Sequence, residues 1–213
     1  MTKLKIRITF TEELLGTASA NPDLHREFIA SNAPDAQSLE EEVESIGVEG
    51  VIEKSMTVFS RSPNKEPVLW NYQIKGFFKD ACSMLSRVGG IKKKEKDKKE
   101  KEASYKSRDL TAYKKIIDGL VFVLPRQIKI NFPEGTSIQN CQRPIRVSTA
   151  KGERVALANS ETAPAGSFID VEIRCLDDNH VDLVREWLDY GILRGLGQWR
   201  NSGKGSFSWK EIK

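Results

Sequence analysis

Residues 3–10 have the sequence Lys-Leu-Lys-Ile-Arg-Ile-Thr-Phe, with an apolar side chain at every second position. Such strict alternation is typical of a β-strand that buries one face and exposes the other. Lys3, Lys5 and Arg7 lie on the exposed face. We therefore expect a half-buried strand here, with a basic outer side.

Two amphipathic helices give the next clearest patterns. Apolar residues between Ile74 and Val88 recur on one helical stripe, and Gly89-Gly90 would end that helix. A second stripe predicts a helix that starts at Asn179 and extends to about Gly191. Each helix should pack its apolar side against a sheet.

Further strands follow each helix. Leu120–Leu124 and Gln127–Ile130 are expected to form one long strand, interrupted at Pro125-Arg126, in the same sheet as a strand over Phe168–Leu176. A last strand is expected over Ser206–Ile212. The order strand, helix, strand, strand, helix, strand is that of the split βαβ arrangement. We predict an α+β fold of the ferredoxin-like class.

The remaining residues are predicted to be insertions into a single domain spanning 1–213. The first covers about 17–73 and should contain helices and a hairpin, and the last covers about 131–160. The middle insertion, 89–118, is rich in Lys and Glu and is expected to be flexible, because it has little apolar surface to bury. Eleven Lys or Arg face five acids between residues 92 and 115, whereas the whole chain has a formal net charge of +4.

Composition excludes several classes of protein. Cys82, Cys141 and Cys175 form no Cys-x-x-Cys pair, and His25 and His180 are the two histidines, so we predict no disulfide framework, no metal and no cofactor. No apolar run approaches the roughly 20 residues that a bilayer span needs. The first residues lack the apolar block of a secretory signal. We expect a soluble, cytoplasmic protein without a membrane partner.

The most informative motif is a loop with four glycines. Residues 195–205 read Gly-Leu-Gly-Gln-Trp-Arg-Asn-Ser-Gly-Lys-Gly and lie between the last helix and the last strand. Glycines allow positive φ and let a ligand approach backbone N–H groups, while Arg194, Arg200 and Lys204 add positive charge. The spacing and flanking elements fit neither a Rossmann nor a Walker loop. A polyanion is the expected ligand, and a turn without a ligand is the alternative.

This loop, Gly195-x-Gly197-x5-Gly203-x-Gly205, resembles the C-terminal glycine-rich loop of the RAMP superfamily, the repeat-associated proteins of CRISPR systems. Residues 10–17, 74–79 and 164–168 resemble further segments of its backbone-forming subunits. The resemblance implies binding of guide RNA or processing of its precursor. Because residues 17–73 do not align with those subunits, we expect a stand-alone relative, encoded by a phage.

We therefore predict a non-catalytic protein that binds single-stranded RNA, such as a CRISPR guide RNA. Backbone N–H groups of the loop would approach phosphates, and Trp199 could stack on a base. CRISPR or phage proteins are expected as further partners. The predicted RNA-binding residues are Lys75, Lys79, Arg194, Gly195, Gly197, Trp199, Arg200, Gly203, Lys204 and Gly205.

Two alternatives remain open. The first is a metal-independent endoribonuclease that uses His25 as the general base, although a surface histidine on a short helix is the plainer interpretation. The second is a protein-interaction module that mimics a RAMP subunit inside a CRISPR complex or a phage assembly. The sequence does not decide among these hypotheses.

Overall fold

The computed structural model describes residues 1–20, 56–88, 105–149 and 152–212. These residues combine helices with antiparallel sheets, which confirms the predicted α+β class. Residues 21–55, which belong to the first predicted insertion and include His25, and the lysine-rich residues 89–104 lie outside the described parts of the chain.

The described elements are numbered here in chain order. The strands are β1 Thr2–Phe10, β2 Leu14–Leu15, β3 Ala18–Ser19, β4 Thr57–Val58, β5 Ser60–Arg61, β6 Pro67–Trp70, β7 Val121–Leu124, β8 Gln127–Lys129, β9 Gln139–Thr149, β10 Gly152–Ala163, β11 Phe168–Cys175 and β12 Phe207–Glu211. The helices are α1 Asn71–Leu85, α2 Tyr113–Leu120, α3 His180–Asp189 and α4 Gly191–Arg194. Short 3-10 turns span Lys106–Arg108 and Arg200–Ser202.

The central sheet has four strands in the order β12-β1-β11-β7, and each neighbouring pair is antiparallel. β1 alternates as predicted, with Leu4, Ile6, Ile8 and Phe10 buried. The helix α1 follows β1 in the chain, and α3 lies between β11 and β12. The sequence pattern therefore located the strands of this sheet correctly.

The core lies between this sheet and the helices α1 and α3. The Phe77 ring of α1 meets the Phe207 ring of β12 edge to face, with 5.2 Å between centroids. The Phe78 ring lies 5.4 Å from that of Trp187 in α3, which is fully buried. Aromatic pairs at these distances stabilise the contact beyond the burial of their area.

The outer face of the central sheet is charged, as the alternation in β1 predicts. Lys3 and Lys5 are exposed, and the Arg7 guanidinium donates two hydrogen bonds to the carboxylate of Asp170 on β11, at 2.7 and 2.8 Å. On β11, Arg174 also pairs with Glu172. The carboxylates of Asp170 and Glu172 on β11 thus neutralise part of the positive charge on this face of the sheet.

The segment predicted as one interrupted strand forms two strands in different sheets, so that prediction is wrong. β7 pairs with β11 in the central sheet, whereas β8 pairs with β6 in a three-stranded sheet, β5-β6-β8. The chain leaves the central sheet at Pro125-Arg126, where proline cannot continue the ladder of hydrogen bonds.

The helix α1 begins earlier and ends earlier than the apolar stripe indicates. The Gln73 side-chain oxygen accepts the backbone N–H of Trp70 at 2.7 Å, which satisfies a donor at the start of the helix. The helix ends at Leu85, and Val88 is 52% exposed. Trp70 is not a residue type that marks a helix start, so the pattern placed this boundary a few residues late.

A long hairpin occupies most of residues 131–160. β9 and β10 pair in an unbroken antiparallel register from Gln139 with Thr162 to Thr149 with Gly152. β10 also pairs with β2 and β4, which joins the hairpin to a second sheet in the order β2-β10-β4-β3. The sequence did not predict these strands, because few large apolar residues mark their period.

The residues after the lysine-rich segment dock on α3. The Glu186 carboxylate accepts the backbone N–H of Lys106 at 2.7 Å and that of Ser107 at 3.0 Å. The buried Trp187 indole donates to the Ser107 hydroxyl at 2.8 Å. These contacts attach the first residues of 105–120 to α3. This part of the chain covers the C-terminal end of the predicted insertion.

Within the described ranges, no helix is long and apolar enough to cross a membrane. The thiols of Cys82 and Cys175 are buried, and that of Cys141 is half-buried. Burial, with a contribution from the nearby carboxylates of Asp178 and Asp177, raises the pKa of Cys175 to about 11.

Candidate nucleic-acid interface

The glycine-rich loop, residues 195–205, sits on the segment that follows β1. The backbone oxygen of Glu13 accepts the N–H of Gly205 at 2.8 Å. The Gln198 side-chain amide donates to the backbone oxygen of Gly16 at 2.7 Å. The structure thus brings together two of the segments that carry the family resemblance.

Two of the four glycines are required by contacts within the chain. A Cβ at Gly205 would lie 1.9 Å from the backbone oxygen of Leu196, and one at Gly195 would lie 2.7 Å from that of Lys204. The Leu196 N–H also donates to the Gly205 oxygen at 2.8 Å. These glycines let the two ends of the loop pack directly on each other.

The middle of the loop differs from its ends. The N–H groups of Gly195, Leu196, Gly203 and Gly205 donate to acceptors in the chain. By contrast, no acceptor within the described residues takes the N–H groups of residues 197–201. Successive free backbone N–H groups of this kind are the donors from which anion-binding concavities are built.

Trp199 lies in the middle of the loop in a left-handed conformation, with φ 54° and ψ 33°. A bulky residue in this region costs about 1–3 kcal/mol, a strain that clusters at functional sites. The side chain is 41% exposed. Trp199 thus presents an aromatic surface to solvent beside the unpaired N–H groups.

The cations predicted around the loop are largely paired with carboxylates of the chain itself. Asp80 in α1 accepts hydrogen bonds from Arg194 at 2.8 Å and from Arg200 at 2.7 Å. Lys204 pairs with Glu13 at 2.9 Å. Much of the positive charge of Arg194, Arg200 and Lys204 is therefore offset by these carboxylates.

Lys75 and Lys79 lie on a different face of α1. At 3.6 residues per turn, they lie about 100–160° around the helix from Gln73 and Asp80, which line the cleft beside the loop. The Lys79 ammonium pairs with Asp118 at 2.7 Å, and that of Lys75 donates to the backbone oxygen of Asp118 at 3.2 Å. The structure does not bring these two lysines to the glycine-rich loop.

The sequence missed Arg143, which the hairpin strand β9 brings to the loop. Its side chain donates to Gln198 at 3.2 Å, and its guanidinium carbon lies 4.9 Å from the centroid of the Trp199 ring. Arg143 is only 9% exposed, and its Nη1 is buried without a hydrogen-bond partner. No carboxylate in the described ranges pairs with it. An unpaired buried cation is costly unless an anion joins it.

A cleft of about 240 Å³ lies between the loop and α1. Thr17, Gln73, Asp80, Gly197 and Arg200 contribute to its walls. The Gln73 side chain donates to the Thr17 hydroxyl at 2.7 Å. The cleft therefore has a mixed lining, because Phe77 and Leu196 contribute apolar surface beside these polar groups.

The described residues hold no cluster of three or more metal-binding side chains. His180 is the first residue of α3, is 7% exposed, and lies outside the loop region. The candidate general base His25 falls outside the part of the chain that the structure describes.

We expect Asp80 to make the stability of the protein sensitive to acid. Burial acts to raise the pKa of Asp80, but the hydrogen bond from Arg194 and the charge of Arg200 outweigh it and hold the pKa below its ordinary value. Its contribution is therefore complete above about pH 4, the unfolded value, and is lost as pH falls through the lower folded pKa. In urea titrations, Asp80→Asn should be less stable than the wild type at pH 5–8, and the difference should shrink below about pH 4. A constant difference across this range would contradict the assignment.

Comparisons with known proteins found a likeness in fold and none in sequence. No family model and no curated protein matches the sequence. One similar chain belongs to the cryo-EM structure of the Type III-B Cmr-beta bound to cognate target RNA, with a TM-score of 0.53 and 14% identity. That match covers 100% of this chain and 60% of the other, so this chain spans 60% of that chain's length. A chain of a Type IV-B CRISPR complex has a TM-score of 0.49 and 10% identity, over 99% of this chain and 90% of the other. The first similarity shows a shared fold, in agreement with the resemblance found in the sequence.

Proposed function

We propose that this chain is a RAMP-type protein with a ferredoxin-like core, and that it binds single-stranded RNA at the glycine-rich loop. The strand order β12-β1-β11-β7, with α1 and α3 as the connecting helices, supports the ferredoxin-like assignment. The binding surface consists of loop residues 197–201 together with Arg143 and the exposed side of Trp199.

Arg143 carries the argument. Its Nη1 is a buried cationic donor without an acceptor, and it lies beside a run of backbone N–H groups that also lack acceptors. All of these groups are donors and one of them is cationic, so an acceptor with negative charge would satisfy them together. A phosphodiester supplies both the acceptor oxygens and the negative charge. Reaching Nη1 requires Gln198 or Trp199 to move aside, since both contact the guanidinium.

Trp199 favours a nucleic acid over a small anion. Exposed aromatic rings next to a positive groove stack on the bases of single strands, whereas bases in a duplex are already stacked on each other. The RNA in the Type III-B structure of similar fold supports RNA as the polyanion. CRISPR or phage protein partners, and cleavage by His25, stay predictions.

The internal ion pairs are compatible with this role. Arg200 uses Nη1 to bind Asp80, which leaves its other N–H donors for a phosphate. Lys204 pairs with Glu13 at a half-buried position, where a phosphate could share the ammonium. The carboxylates of Asp80 and Glu13 would hold the cations in place before RNA binds.

Replacing Arg200 and Lys204 together by alanine should weaken RNA binding and flatten its dependence on salt. Each lost phosphate contact to a single strand reduces the slope of log K against log[salt] by about 0.7. Binding of a labelled single-stranded RNA can be followed by fluorescence anisotropy at several salt concentrations.

The matched control is Lys106→Ala with Arg185→Ala. These residues are also an ion-paired lysine and arginine, bound to Asp182 and Glu211 away from the loop. This control should bind RNA with an unchanged salt slope. Equal losses in both double variants would show that binding depends on general charge, and would contradict a site at the loop.

A further inference from the structure

A second cluster of aromatic and basic side chains lies at the start of α1, away from the glycine-rich loop. It contains Trp70, Tyr72 and Phe122, with Lys75 and Arg126, and is called here the aromatic platform. The Trp70 and Tyr72 rings are nearly parallel, with 13° between their planes and 6.2 Å between centroids. Tyr72 is 62% exposed and Phe122 is 39% exposed. Large aromatic side chains are rarely grouped on a surface that makes no contacts.

The cations of the platform lie against these rings. The Arg126 guanidinium carbon is 5.8 Å from the centroid of the Trp70 ring, and the Lys75 ammonium is 5.0 Å from that of the Phe122 ring. Neither cation forms an ion pair with a carboxylate side chain of the described residues. Their charge is therefore available to an anionic partner.

Helix geometry places the platform residues of α1 on one side of the helix. Tyr72, Lys75 and Lys79 fall within a narrow sector of α1 at 3.6 residues per turn. The side chain of Asn71, in the first turn, donates to the backbone oxygen of Val123 at 3.1 Å, which links the start of α1 to β7. Tyr72 and Lys75 therefore lie on the side of α1 near β7, away from the side that lines the cleft beside the loop.

We propose that the aromatic platform stacks unpaired bases of a single-stranded nucleic acid, while Lys75 and Arg126 bind its phosphates. The platform combines aromatic faces on which bases can stack with cations that can bind phosphates. The inference rests on the proposed RNA binding and adds a second contact to it. It also gives Lys75 a role in RNA binding that is separate from the loop.

The platform is tested with a labelled oligoadenylate, whose bases stack well, in anisotropy titrations. Tyr72→Ala should weaken binding about fivefold or more, because stacking contributes about 1–3 kcal/mol per base. Tyr72→Phe keeps the ring and should bind like the wild type. The control is Tyr105→Ala, which removes another exposed tyrosine, outside the platform, and should leave affinity unchanged. Both alanine variants should keep wild-type stability, since Tyr72 and Tyr105 are both exposed.

The outcomes separate this inference from the proposed function. If the wild type binds the oligonucleotide and Tyr72→Ala binds equally well, the platform is overturned and the loop proposal stands. If the wild type does not bind it, both are overturned. If Tyr72→Ala loses a co-purified protein while RNA affinity is unchanged, the surface is a protein interface and the inference is wrong.

Discussion

Gly205→Ala is expected to lower the free energy of unfolding by about 3–5 kcal/mol. The new Cβ would lie 1.9 Å from the Leu196 oxygen, and that oxygen belongs to the backbone, so it cannot rotate away. Relief requires the two ends of the loop to separate, which breaks the hydrogen bond from the Leu196 N–H to the Gly205 oxygen. Urea denaturation followed by tryptophan fluorescence measures the loss.

Gly203→Ala is the matched control for this substitution. Gly203 also has a positive φ, 83° against 74° at Gly205, but a Cβ there would meet no atom within 4 Å. Gly203→Ala should therefore lower the free energy of unfolding by only about 1 kcal/mol, because alanine is strained in this backbone conformation. Equal losses at the two positions would show that backbone conformation, and not close packing of the loop ends, explains these glycines.

Arg143→Met should weaken RNA binding by about tenfold or more while leaving the protein at least as stable as the wild type. Methionine keeps much of the packing against Trp199 but removes a buried charge whose Nη1 has no partner. Removing an unpaired buried charge relieves its desolvation cost. A gain in stability that accompanies a loss of binding is expected of a residue that serves a ligand and not the fold.

Arg61→Met provides the contrasting control. Arg61 is a strand arginine that pairs with Glu161 at 2.5 Å, and the Glu161 side chain is only 14% exposed. Its removal leaves that carboxylate without its cation, so stability should fall while RNA affinity stays unchanged. If Arg143→Met also lowers stability and leaves RNA affinity intact, Arg143 is a structural residue and the binding site lies elsewhere.

The sequence predicted the elements whose signal is local. β1 alternates strictly, and the apolar stripes of α1 and α3 repeat at helical spacing, so their positions follow from period alone. The interruption at Pro125-Arg126 was predicted, but the membership of β7 and β8 in different sheets was not. Pairing with β11 or with β6 is decided by long-range contacts that period does not encode.

The candidate site was only partly predictable for the same reason. The glycine spacing identified the loop, but its charge balance depends on Asp80, which lies 114 residues before Arg194 in the chain. Arg143 comes from a hairpin with weak alternation and has no motif around it. A buried arginine without an acidic partner becomes visible only when the surrounding side chains are known.

Ultraviolet crosslinking of the wild-type protein to a labelled single-stranded RNA, followed by mass spectrometry of tryptic peptides, tests the location of RNA binding most directly. Cleavage after Arg194 and after Arg200 releases residues 195–200, which contain Trp199. We expect this peptide to carry crosslinked nucleotide, and the yield to fall in Arg143→Met. Crosslinks confined to peptides that neither contain nor contact the loop, or none at all when RNA is in excess, would contradict the account.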